Sequence, residues 1–201
     1  MRQGTVLETA KATIQSEIDA LENLLQSIDE NFEKAVDLIR CTPGRVIITG
    51  VGKSGHIGKK IAATLASLGT PASFVHATEG VHGDLGMITP EDIVIAISNR
   101  GKTRETLDLI VPIRQIGAKL VALTSRSDSE LARQADLVLN IGVQTEADPL
   151  GLAPTNSTTA TLALGDALAI TLSVNKKFTR EDFGKFHPGG SLGEKLPEEQ
   201  K

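Results

Sequence analysis

The chain has 201 residues, with 21 Lys and Arg against 25 Asp and Glu for a net charge of −4, and only 2% aromatic residues. That length fits one domain with a helical appendage, and 40% hydrophobic with 23% charged residues sets the chain apart from disordered compositions. There is no Trp or Tyr to stack on bases and no cationic excess to neutralise a phosphate backbone, so nucleic acid is not an expected partner.

The N-terminus, Met1-Arg2-Gln3-Gly4, lacks the apolar core of a signal peptide. From Val6 to about Arg40 the pattern is helical. Ile14, Ile18, Leu21 and Leu25 recur at three- and four-residue steps, and a second helix from about Asp29 carries Phe32, Val36, Leu38 and Ile39 on one side. Two such amphipathic helices need a cover, either their own domain or a second subunit. Cys41 stands alone, which excludes an internal disulfide or a Cys-based metal cluster and agrees with a reducing cytoplasm. The turn Thr42-Pro43-Gly44 closes this region.

Beyond Gly44, short apolar runs alternate with helical patterns. Strands are predicted at Arg45–Thr49, Ala72–Val75, Asp92–Ile97, Lys119–Thr124 and Leu137–Ile141. Helices are predicted at Ile57–Leu68, Thr103–Ile116 and Ser129–Ala135, with a last long one from Pro154 or Thr155 to about Val174. The apolar run Ala160 to Val174 is interrupted by Asp166 and is shorter than the ~20 residues a bilayer requires, so no membrane association is expected. Strand–helix alternation at this spacing implies an α/β fold, a three-layer α/β/α sandwich on a five-stranded parallel sheet, preceded by two N-terminal helices. Residues 1–43 form the helical extension and 44–196 the α/β core of a single domain.

Ligands of an open parallel sheet bind beyond the carboxyl ends of its strands, near the switch in strand order. Two Gly-rich turns fall there. Gly50-Val51-Gly52-Lys53-Ser54-Gly55 fits the dinucleotide pattern G-x-G-x-x-G, but the second strand ends Phe74-Val75-His76 with no acid to hold a ribose, the first being Glu79. A P-loop fails because Ile47 stands where its first Gly is needed. The second turn, Ser98-Asn99-Arg100-Gly101-Lys102-Thr103, sets hydroxyl and amide side chains beside a Gly at a helix start, where free N–H groups favour a phosphate. The bland alternative is a capped helix start with solvated basic residues.

These turns resemble the SIS (sugar isomerase) domain family. The segments Gly52-Lys53-Ser54-Gly55-His56-Ile57-Gly58, His82-Gly83-Asp84-Leu85-Gly86-Met87, Pro149-Leu150-Gly151-Leu152-Ala153-Pro154-Thr155 and His187-Pro188-Gly189-Gly190-Ser191-Leu192-Gly193 narrow the resemblance to its arabinose-5-phosphate isomerase branch. The match runs from about Gly44 to Leu196. It implies a flavodoxin-like fold and an aldose–ketose isomerase that interconverts ribulose 5-phosphate and arabinose 5-phosphate. That reaction opens the route to Kdo, the sugar acid of lipopolysaccharide and some capsules. It further implies a homotetramer with shared active sites. The chain itself reads as cytoplasmic, the chemistry calls for no cofactor and no metal, and feedback by Kdo or its activated nucleotide form is expected at the active site. The family's phosphate loop reads Ser-x-Ser-Gly-x-Ser/Thr, so Arg100 departs from it at the second Ser, and Lys102 adds a charge. Members commonly carry two CBS modules after this domain, and this sequence reads as a form without them.

Such an isomerisation moves a proton between C1 and C2 through an enediolate, which needs a base and groups that stabilise charge on O1 and O2. The resemblance places the base at Glu146, with Glu105 as its rival. The structural alternatives are a solvated loop acid beside Asp148 for Glu146 and a first-turn acid meeting the helix dipole for Glu105. His187, whose imidazole titrates near neutrality, is a proton carrier that a neighbouring subunit can supply. His82, oriented by Asp84, is a second candidate, and Lys53 is placed to stabilise the enediolate. The resemblance implies that Gly52, Ser54, Ser98, Asn99, Arg100, Gly101 and Thr103 bind substrate and phosphate. His56 and His76 read as packing or surface groups. Phe178, Phe183 and Phe186 cluster before His187 and are expected to anchor it by packing. The alternatives to this activity are isomerisation of another ketose phosphate and a non-enzymatic sugar-phosphate sensor.

Overall fold

The computed structural model describes residues 5–189, so the end of the expected core to 196, including Gly190-Ser191-Leu192-Gly193, lies outside the described residues. Five parallel strands, β1 (Val46–Gly50), β2 (Ala72–His76), β3 (Ile93–Ile97), β4 (Lys119–Thr124) and β5 (Leu137–Asn140), form one sheet in the order β2-β1-β3-β4-β5. Each lies within one residue of its predicted bounds. β1 and β3 are buried along their whole length, the mark of a parallel sheet covered on both faces. Alternation along β1 assigns the two covers. Ile48 points into the cluster under α1 (Val6–Ser27), α2 (Glu30–Cys41), α3 (Gly52–Ser67) and α8 (Asn156–Asn175). Ile47 points into the other, under α4 (Ala77–Gly80), α5 (Arg104–Leu107), α6 (Ile110–Ile116) and α7 (Glu130–Gln134).

α8 is apolar and long enough by composition to cross a membrane, yet it is the core helix of this layer. Ala160, Leu164, Leu168, Ala169 and Leu172 are buried, with α3 on one side and α1 on the other. Gly165 permits the close crossing with α3, since a Cβ there would lie 2.4 Å from the Ile61 side chain. Lys60 pairs with Asp166 across the same crossing at 2.5 Å, which gives the interrupting acid of α8 a partner.

Three elements depart from expectation. α3 starts at Gly52, five residues before the predicted Ile57, because the Gly-rich turn itself is helical from Gly52 on. The predicted Thr103–Ile116 helix is broken into α5 and α6. Pro112 has no N–H to return to Asp108, so the α-helical ladder lapses there. α9 (Arg180–Phe186) was not predicted. Its signal is the reciprocal capping box of Thr179 with Asp182. The Asp182 carboxyl is held down to about 2, first by its hydrogen bond from Lys185 and then by the Thr179 backbone. The box is therefore complete above the ordinary aspartate range and is lost only as pH falls through about 2.

The N-terminal helices serve their own domain on one face only. α1 buries Ala20 and Leu24, and α2 buries Ala35, Val36 and Ile39, all in the cluster shared with the sheet. The other side of α1 exposes Leu7 (71%), Ile14 (59%), Ile18 (43%) and Leu25 (70%).

Candidate active site

The chain runs from β1 outward to β2 and then returns to β3 on the other side of β1, so the switch in strand order lies between β1 and β3. Their parallel register, Thr49 opposite Ala96, sets the two Gly-rich turns side by side. Lys53 and Ser54 occupy the first turn of α3, Lys53 exposed and Ser54 half-buried.

The turn after β3 is held by a dense set of bonds. The Ser98 and Thr103 hydroxyls meet at 2.8 Å across it. The Asn99 carbonyl accepts from the Ser125 N–H at 2.9 Å and from the Thr124 hydroxyl at 3.0 Å, which ties the turn to the end of β4. Gly101 has φ +60° and lies against Ser129, so a side chain there meets both a strained backbone and an occupied space. This explains the Gly between Arg100 and Lys102 without reference to any ligand. α5 supplies only one turn of helix after Thr103, so the free N–H groups here belong to the turn rather than to the head of a long helix.

Glu146 is the centre of the opposite wall. Its Oε2 accepts from the backbone N–H of Thr155 at 2.8 Å and of Ser157 at 3.1 Å, and its Oε1 accepts from the Ser157 hydroxyl at 2.5 Å. The carboxylate thus caps the first turn of the 20-residue helix α8 through space. Thr155 itself makes no side-chain cap. The Asn99 amide donates to Oε1 at 3.3 Å, which joins this carboxylate to the turn after β3. Asn156, buried in the same turn, donates to Ser16 on α1 at 2.8 Å and to the Thr145 carbonyl at 3.0 Å. α1 therefore braces the segment that carries Glu146. Asp148 is a turn-former: backbone N–H groups of Leu152, then Ala153, hold its carboxyl below the ordinary range.

A cleft of about 920 Å³ opens between the turns after β3, β4 and β5. Asn99, Arg100 and Lys102 form one wall, Arg126 and Arg133 another, and Glu146 the floor beside α8. Arg126, Arg133, Ser157 and Asn156 were missed in the sequence. The signal for the last two was the polar run Thr155-Asn156-Ser157-Thr158-Thr159 at the head of an apolar helix.

The remaining predicted residues do not line this cleft. Glu105 is exposed in α5 and Lys53 in α3. His82 is exposed in the turn after α4, and no hydrogen bond joins it to Asp84. His76 accepts from the Thr78 N–H at 3.3 Å and packs edge-on to Phe74, a structural role. Among the described residues no three His, Cys, Asp or Glu side chains gather to hold a metal ion.

His187 lies farthest away. Its ring stacks on Phe183 at 3.9 Å and its Nδ1 meets the Phe183 carbonyl at 2.8 Å. Phe186 stacks on Phe178, whose ring covers Gly69 at the foot of α3, and Lys176 bonds the Gly69 carbonyl at 3.0 Å. The three Phe rings thus anchor the His187 segment, but at the far end of α8. Twenty residues of helix separate that end from the Glu146 end by roughly 30 Å. The chain does not bring its own His187 to its own Glu146.

A family model described as SIS domain matches residues 38–171. Two curated relatives, each an arabinose 5-phosphate isomerase KdsD, are 52% identical over 190 residues in Pseudomonas aeruginosa and 54% identical over 193 residues in Francisella tularensis. Either alignment covers 94% of this chain, which spans only 58% and 59% of the two relatives. A solved Escherichia coli CFT073 protein in complex with arabinose 5-phosphate is 45% identical, with a TM-score of 0.89, over 94% of this chain and 100% of that one.

Proposed function

The chain belongs to the SIS domain family, and from that we propose that it interconverts ribulose 5-phosphate and arabinose 5-phosphate through an enediolate. The observation that carries this reading is the Glu146 carboxylate, fixed on α8 and hydrogen-bonded to Asn99 of the turn after β3. A base and an anion-holding loop then share one rigid frame, which is the positioning the reaction needs. The names of the curated relatives and the sugar phosphate bound to the E. coli protein support the substrate.

In this reading the phosphate rests on Ser98, Asn99, Arg100, Gly101 and Thr103, with Gly52 and Ser54 beside it. Glu146 moves the proton between C1 and C2, and Lys53 steadies charge on O1 and O2. His187 of a neighbouring subunit carries protons between the oxygens. Glu105 and His82 stand as the alternative base and carrier. Incubation with ribulose 5-phosphate in heavy water tests the activity. Deuterium appears at C2 of the arabinose 5-phosphate formed, in the presence of a chelator; neither product nor label overturns the reading and leaves a sensor.

The proposal includes a cytoplasmic homotetramer. Leu7, Ile14, Ile18, Leu25 and Ile28 follow one another at steps of seven, four, seven and three, the seam of a coiled coil, and all are exposed. A second copy covering this seam supplies the neighbour that His187 requires. Ile14→Glu with Leu25→Glu leaves the buried face of α1 intact, so the chain stays folded. Light scattering then shows a smaller species, and turnover falls with it. We place the reaction at the start of the Kdo route to lipopolysaccharide or capsule, with Kdo or its activated nucleotide form as a feedback ligand. Titration of either compound lowers turnover, and insensitivity removes the feedback.

A further inference from the structure

The cleft beside the turn after β3 has more cationic surface than one phosphate uses. Arg100, Lys102, Arg126 and Arg133 face it, against Asp128, Glu130, Glu146 and Asp148. Three of these acids have partners of their own, and Glu130 forms no ion pair among the described residues. Glu146 is held by the N–H groups at the head of α8 and Asp148 by backbone N–H groups, while Asp128 pairs with Arg126 at 3.2 Å, a surface pair that a phosphoryl group competing for the guanidinium has to displace. Arg133 gives one guanidinium nitrogen to the Asp128 carbonyl at 2.5 Å and keeps the rest of its fork. Among the described residues Arg100 and Lys102 form no ion pair. The cleft, at about 920 Å³, lies near the top of the roughly 300–1,000 Å³ that encloses ligands of drug size, far more than a pentose phosphate fills.

The turn itself has two sides. Ser98 and Thr103 meet across its base, while Arg100 and Lys102 line the cleft together with Arg126, in the turn after β4, and Arg133, on α7. The turn reaches this cationic gap through Asn99, Arg100 and Lys102. We propose that the gap is a second phosphoryl subsite, which takes the outer phosphoryl group of a diphosphate whose inner one rests on the Ser98–Thr103 turn. The inference rests on the phosphate reading of that turn. It gives the departure at Arg100 a role: the guanidinium replaces a hydroxyl where a second set of phosphate oxygens needs a planar double donor. The ligand class is a diphosphate or a diphosphate ester, bound without chemistry at the anhydride.

Inorganic phosphate and inorganic pyrophosphate, titrated calorimetrically into the full chain without divalent metal, test this. The readout is the ratio of the two dissociation constants within each variant, so a general loss of affinity cancels. Wild type binds pyrophosphate about tenfold or more tighter than phosphate. Arg126→Ala with Arg133→Ala brings the ratio toward one, Arg100→Ser lowers it, and the charge-matched control Lys11→Ala with Lys34→Ala keeps it. A thermal melt confirms that each variant is folded. A wild-type ratio near one overturns the subsite, and so does an Arg126/Arg133 variant that keeps the wild-type ratio. A Lys11/Lys34 control that loses it equally assigns the preference to net charge and also overturns it. If phosphate itself does not bind, the reading of the turn fails first, and that failure is separate from the others.

Discussion

Glu146→Gln lowers ribulose 5-phosphate turnover by about 10²–10⁴-fold, the usual range for removing a general base, while inorganic phosphate still competes with substrate at close to its wild-type strength. The split follows from where the carboxylate sits. The turn after β3 is secured by Ser98, Thr103, Thr124 and Ser125, none of which needs Glu146 to keep its place. Gln retains one oxygen for the N–H groups of Thr155 and Ser157 but turns an NH₂ toward the Asn99 amide, which already donates there at 3.3 Å. Loss of the Oε1 acceptor for the Ser157 hydroxyl and the Asn99 amide costs about 1 kcal/mol, a few degrees of melting temperature in a chain of this size. Steady-state kinetics with a thermal melt therefore separate two roles. A melt lowered by a few degrees with near-normal turnover makes Glu146 only the cap of α8 and moves the base to Glu105. Glu105→Gln, at an exposed position in α5, then shows the loss instead.

The sheet was legible because each strand is a run of Val, Ile and Leu bounded by turn residues, and burial on both faces leaves no polar alternation to confuse it. Ile93–Ile97 is the clearest case. The helices were less so where a single residue outweighs the periodic pattern. The apolar spacing of Thr103 to Ile116 is continuous, yet the helix breaks at Asp108 and Leu109, where the Leu109 N–H turns to the Thr106 carbonyl and Pro112 has no N–H to return to Asp108. α9 is too short to show a period, and its evidence is the capping pair Thr179 and Asp182. For the site, local patterns located the turn at Ser98–Thr103, but nothing local links Asn99 to Glu146, 47 positions later. The resemblance named Glu146, and the fold shows the further part it plays in capping α8. Arg126 and Arg133 read as ordinary exposed charges because their meaning depends on the neighbouring turn, which sequence order does not reveal.

Chains with His187→Ala and chains with Glu146→Gln, each nearly inactive alone, regain activity when co-expressed. Within one subunit the two side chains lie at opposite ends of α8, roughly 30 Å apart, with the Phe178, Phe183 and Phe186 stack holding His187 at its end. Local motion does not close such a gap, because α9 is tied to the foot of α3 through Phe178 against Gly69 and Lys176 on the Gly69 carbonyl. If the histidine works at all in the isomerisation, it works in a neighbour. In a randomly mixed assembly of equal parts, half of the sites keep Glu146 on their own chain, and half of those receive an intact His187. About a quarter of wild-type turnover per site is then restored. Variants that complement in this way also share the oligomer dependence of the α1 seam, so Ile14→Glu with Leu25→Glu introduced into both chains abolishes the rescue. Mixtures no more active than their parents place the complete catalytic set within one chain, and His187 then keeps only its packing role against Phe183.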